Sequence, residues 1–162
     1  MRTVDTGLYR PAEYSLEEYI RCTAWFQEAQ IIRMQGGVDT YITITDMSGF
    51  SIWRNDMKKA FESTFIAQTC YPGRLSLSIL INVPTTFTAI WTVMKGWMDP
   101  EMLSKIHLFG KSESQKAAAR SLLQDLVSPE ELLEQYGGAR TEPYPIPTAK
   151  PVKGDDYPGA KR

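Results

Sequence analysis

The chain has 162 residues, 43% of them apolar and 11% aromatic, enough for one domain with a buried core. Lys and Arg number 18 against 19 Asp and Glu, so the basic surface of a nucleic-acid binder is missing and nucleic acid is excluded as a partner. The first 20 residues carry Asp5, Arg10, Glu13, Glu17 and Glu18 with no apolar core, which does not fit a secretory signal.

Residues 1–13 read as an irregular N-terminal segment. Ser15 to Glu18 has the form of a capping box, and Leu16, Tyr19, Ile20, Thr23 and Phe26 recur at helical intervals, predicting a helix to about Met34. Gly36 and Gly37 stop it. Tyr41 to Asp46 is a β-branched, alternating run, hence a strand, closed by a turn at Asp46, Ser48 and Gly49. Lys58 to Cys70 puts Phe61 and Phe65 one turn apart on a second helix, broken by Tyr71-Pro72-Gly73. Cys22 and Cys70, both in helices and without metal-ligand spacing, read as buried free thiols in a reducing, cytoplasmic compartment.

Leu75 to Met94 is a charge-free run of 20 residues, the length of a membrane span. Asn82 and Pro84 interrupt it, and the period changes from alternation to helical repeat there, so it divides into a strand, Leu75 to Val83, and a helix from Pro84 to about Met98. That helix has one charge, Lys95, and no polar stripe of ordinary width. Its 15 residues span roughly 22 Å, short of a bilayer core of about 30 Å. It is either a core helix covered on two sides or the wall of an apolar cavity that also meets membrane; Met94 and Met98 beside two tryptophans favour the second.

Lys105 to Phe109 predicts a third strand, on which Lys105, His107 and Phe109 share a face. Ser112 to Gln115 is a second capping box, ahead of Ala119, Leu122, Leu123 and Leu126, and Ser128-Pro129-Glu130-Glu131 starts a short helix ended by Gly137-Gly138. Strands separated by single helices make an α/β fold with a largely parallel sheet. Residues 139–162 hold five of the ten prolines and read as an extended, Pro-rich tail.

In order along the chain stand Asp46 and Gly49, Tyr71-Pro72-Gly73-Arg74-Leu75, Ile81-Asn82-Val83-Pro84, Ser104-Lys105-Ile106 and Tyr136-Gly137-Gly138. The set, over residues 14–138, resembles the CRAL-TRIO lipid-binding family. The resemblance implies a sheet flooring an apolar pocket, closed by a gate helix that swings at the membrane. The gate corresponds to Pro84–Met98, with Phe87, Ile90, Trp91, Met94 and Trp97 as its apolar residues. It further points to Tyr41, Thr43 and Lys105 as lipid-binding residues, and His107 joins that set because it shares the expected strand face of Lys105. Phosphatidylinositol binders of the family pair the Ser-Lys-Ile lysine, here Lys105, with a glutamate after Tyr-Pro, where this chain has Gly73. Phosphatidylcholine binders use two small hydroxyl residues at the positions of Tyr41 and Thr43, and Thr43 alone matches. Members usually precede the matched region with another strand and a helical bundle, which this chain is expected to lack.

The expected function is binding of one hydrophobic ligand, a phospholipid or another apolar small molecule, and its transfer or presentation between membranes by a cytoplasmic, peripherally membrane-associated protein. The lipid is cargo: no cofactor and no metal is implied. Catalysis is not expected, because the lone histidine, His107, has no evident catalytic partner and no phosphate-cradling loop, nucleophile elbow or metal cluster occurs. The alternative is a regulatory module that binds protein, with the tail as a further protein-contact segment.

Overall fold

A computed structural model of the chain describes residues 15–34, 36–50 and 57–142. The expected irregular segment 1–13 lies outside them, as does most of the expected tail. The elements run α1 (Leu16–Arg33), β1 (Tyr41–Asp46), α2 (Met57–Cys70), β2 (Leu75–Val83), α3 (Phe87–Met94), α4 (Pro100–Ser104), β3 (Ile106–Gly110) and α5 (Glu113–Leu126), with 3-10 turns at Lys95–Trp97 and Glu134–Tyr136.

The three strands form a parallel sheet in the order β1-β2-β3, which puts the most apolar strand, β2, in the middle. Its residues Ile79 and Ile81 pack with Ala119 and Leu123 of α5 and with Val127 and Leu132 beyond it, and Ile79, Leu123 and Leu132 are fully buried. Ile42, Ile44, Leu77 and Phe109 extend this core. α5 therefore covers one face of the sheet, and alternation turns Thr43, Ser78, Leu80, Ile106 and Leu108 to the other.

Local signals explain most boundaries. Ser15 caps α1 with both halves of the box made, Glu18 N–H to Ser15 Oγ at 3.2 Å and Ser15 N–H to Glu18 Oε2 at 2.9 Å. Gly73, with φ +72°, makes the turn between α2 and β2. Gly138 sits so close to the chain that a Cβ there would lie 1.9 Å from the Leu132 carbonyl oxygen, so the second glycine of Tyr136-Gly137-Gly138 is required by space.

Five expectations are corrected. The single helix Pro84–Met98 is shorter: Phe87 and Thr88 N–H groups first bond three residues back, to Pro84 and Thr85, and at Gly96 the helix tightens to a 3-10 turn before Met98 becomes extended. Asp99 then caps α4 through Met102 N–H at 2.7 Å, with Pro100 in its first turn. Lys105 is the C-cap of α4, so β3 begins at Ile106. Ser128 begins a turn, its carbonyl accepting from Glu131 and Leu132, and only the 3-10 turn Glu134–Tyr136 follows. The second capping box is half made: Ser112 accepts from Gln115 N–H, but the Gln115 side chain accepts from Gly110 N–H instead. Finally, neither cysteine forms a disulfide among the described residues, yet Cys70 is exposed and Cys22 half-buried.

Candidate functional site

The face of the sheet turned from α5 is half-buried and mixed in chemistry. Thr43 of β1 and Ser78 of β2 are register partners, and Thr43 Oγ1 donates to Ser78 Oγ at 3.0 Å. Around this hydroxyl pair stand Leu80, Ile106 and Leu108, none of them buried as Ile79 is. At the amino end of β1, Tyr41 Oη donates to Gln27 Oε1 of α1. Burial pushes the Tyr41 phenol pKa up, and the Gln27 hydrogen bond opposes that in part. The four polar residues singled out in the sequence are thus separated. Tyr41 and Thr43 share this face. Lys105 lies just before β3: its carbonyl accepts from Ser78 N–H at 2.8 Å and its ammonium pairs with Glu101 at 2.7 Å. His107 registers with Ile79, which turns it to the α5 side, where it is exposed; it shares that face with Phe109 and not with Lys105.

Ser78 was not among those four. Its signal was present in Leu75-Ser-Leu-Ser-Ile79, where serines alternate with residues of the α5 core and must face the other way.

α3 lies where the strand–helix switch sends the chain. Phe87 is buried, edge-on to Phe50 at 5.3 Å and stacked on Trp91 at 6.2 Å. Ile90, Trp91 and Met94 are half-buried, whereas Thr88, Ala89, Thr92 and Val93 form an outward, uncharged face. Beyond α3, Trp97 meets Phe61 of α2 edge-on at 4.9 Å, and Asp99 N–H donates to Gln68 of α2 at 3.0 Å. Phe61 stacks on Phe65 at 6.3 Å, and these three rings are 37–50% exposed.

The root of α3 is fixed by Asp46. Asn82 has φ +55°, a left-handed backbone at the point where the β2–β3 register shifts, and its Nδ2 donates to Asp46 Oδ1 at 2.9 Å. Ser48 N–H donates to the same oxygen at 2.9 Å, and Tyr136 Oη reaches Oδ2 at 3.4 Å. Asp46 therefore does more than make the turn expected of it: it ties β1, the start of α3 and the Tyr-Gly-Gly motif together. Beside it, at the carboxyl ends of the strands, a crevice of about 260 Å³ opens toward α5. None of the nine residues expected for lipid or gate lines it.

No helix among the described residues is long and apolar enough to cross a membrane. A fold match to the crystal structure of Sfh5 has a TM-score of 0.61 at 22% identity, covering 76% of this chain and 42% of that one. In sequence the chain is 26% identical over 86% of its length to a CRAL-TRIO domain-containing protein of Schizosaccharomyces pombe, and 32% identical over 82% to the phosphatidylinositol/phosphatidylcholine transfer protein SFH9 of Arabidopsis thaliana. These matches take in 30% and 22% of the two relatives, so the chain corresponds to less than a third of either. The model of the CRAL/TRIO domain matches residues 2–138. A parallel sheet with one core-packed face, the motifs at its strand ends and a match over most of the length agree: the chain belongs to the CRAL/TRIO domain family.

Proposed function

We propose that the chain binds one hydrophobic ligand, a phospholipid, against the Thr43–Ser78 face of the sheet and moves it between membranes, with α3 as the gate and no chemistry done on the cargo. The observation that carries this reading is the contrast within one sheet. Ile79 and Ile81 are sealed under α5, while the opposite face keeps a hydroxyl pair among half-covered aliphatic side chains. A ligand with acyl chains and a polar group matches such a floor. The name of the Arabidopsis relative supports a phospholipid. Gly73 stands at the glutamate position of inositol binders, which favours a headgroup other than inositol phosphate. α3 suits a gate because its inner face is aromatic and its outer face is free of charge, so bilayer contact carries no desolvation penalty for a charged group there. The work fits a cytoplasmic protein that visits membrane surfaces.

The test is native mass spectrometry of protein purified from cells, which should carry a co-purifying phospholipid, together with a vesicle-to-vesicle transfer assay. Trp91→Asp should abolish transfer. A second reading, a protein-binding module, draws on the half-exposed rings Phe61, Phe65 and Trp97. Wild-type protein that is lipid-free and indifferent to vesicles would replace the first reading with the second.

A further inference from the structure

The crevice at the carboxyl ends of the strands lies outside the proposed lipid face and has its own chemistry. Its floor is apolar: Ile81, Ala119 and Leu123 are buried and Phe109 half-buried. Its walls hold three charged side chains, and their states differ. Asp46 is consumed internally, its two oxygens accepting from Ser48, Asn82 and Tyr136. Lys116 pairs with Glu113 at 2.7 Å in a surface i,i+3 contact, the weak kind that an incoming anion displaces at little cost. Arg120, one turn further along α5, makes no hydrogen bond or ion pair among the described residues. Its stem is nonetheless placed, because it runs beside Gly137, where a Cβ would stand 3.5 Å from Arg120 Cγ. The absence of a side chain at the left-handed Gly137 (φ +96°) thus leaves room for the Arg120 stem, and Arg120 lines the crevice.

A planar guanidinium that makes no hydrogen bond or close ion pair and acts only through its charge on the Glu113 carboxylate, a second cation one turn away and a greasy floor form a receptor for an oxyanion on a short apolar body. At about 260 Å³ the volume is just under the roughly 300–1,000 Å³ usual for drug-sized ligands. A short apolar body suits that size. The position agrees with the tendency of parallel α/β sheets to bind ligands outside the carboxyl ends of their strands. We propose that this crevice is a second binding site, separate from the lipid face, for a small amphiphilic carboxylate or phosphate monoester held by Arg120 and Lys116.

Titration calorimetry of the whole chain with hexyl phosphate, hexanol and inorganic phosphate tests it. Hexyl phosphate should bind saturably, hexanol should not, and inorganic phosphate should bind more weakly for want of the floor. Arg120→Gln should weaken hexyl phosphate by about tenfold or more, the loss of roughly 1.4 kcal/mol or more, with the urea midpoint unchanged. Phosphatidylcholine vesicles containing phosphatidic acid identify the source of the oxyanion. If Arg120→Gln lowers vesicle binding in parallel, a lipid headgroup uses the site; if only hexyl phosphate responds, a free small acid does. Absence of saturable hexyl phosphate binding, or binding indifferent to Arg120→Gln, overturns the proposal. Lipid occupancy by native mass spectrometry reads the other face independently, so failure of either proposal leaves the other standing.

Discussion

The two faces of the sheet are built from the same three strands and do opposite things. On the α5 side, isoleucines from β1 and β2 meet Ala119 and Leu123, and the central positions are closed to solvent. On the other, the residues one step along each strand are Thr43, Ser78, Leu80, Ile106 and Leu108, half-covered and carrying a hydroxyl pair. A one-residue shift in β2 exchanges isoleucine for serine, so the core side and the proposed binding side are written on alternate letters of one strand. Core-packing energy should then reside on one face and ligand selectivity on the other.

Leu123→Ala should hit hardest, since it empties a fully buried site: a loss of about 3 kcal/mol in urea unfolding, with lipid occupancy of the folded fraction preserved. A loss below about 1 kcal/mol would mean that the α5 side is not the tight one. Ser78→Ala reverses the pattern. Stability should change by less than about 1 kcal/mol, while phospholipid retention through gel filtration should fall by roughly tenfold, equivalent to about 1.4 kcal/mol; unchanged retention would take the hydroxyl pair out of the site.

Tyr41→Phe tests the same face through pH. The folded-state phenol has a raised pKa, so its contribution is fully present below the unfolded value of about 10 and is lost as pH rises through the folded value. Wild-type protein should lose more stability than the Phe variant as pH rises above about 10, as read from paired thermal melts; parallel decline would remove the burial argument. His107→Gln should do least, within about 0.5 kcal/mol and with no effect on lipid occupancy, because His107 stands exposed on the side away from Thr43.

The same alternation decides what was readable from the amino acids. Strand β2 appears over the span its pattern predicts, and β1 likewise, because period-2 runs bounded by glycine and proline are short-range information. The breaks near Gly96 and Asp99 were harder, since one apolar run conceals a helix end that is set by local hydrogen bonds and a new cap. His107 shows the limit for sites. Its face depends on where β3 starts, and Lys105 is drawn out of the strand by α4, so the supposed Lys105–His107 side does not form. Ser78 is legible in the alternation of β2, although the family motifs that mark headgroup positions lie on β1 and just before β3. That Arg120 and Asp46 line one crevice was not legible in the sequence, because β1 and α5 lie far apart along the chain and are brought together only by the folded sheet.

Asn82 has one more consequence. Left-handed, donating a side-chain hydrogen bond to Asp46 and two residues before Pro84, it braces the corner where the chain leaves the sheet. If α3 is the gate proposed above, its excursion would be a swing about that corner, with travel greatest at the Gly96 tip, where the Trp97–Phe61 edge contact and the hydrogen bond from Asp99 N–H to Gln68 would serve as the clasp.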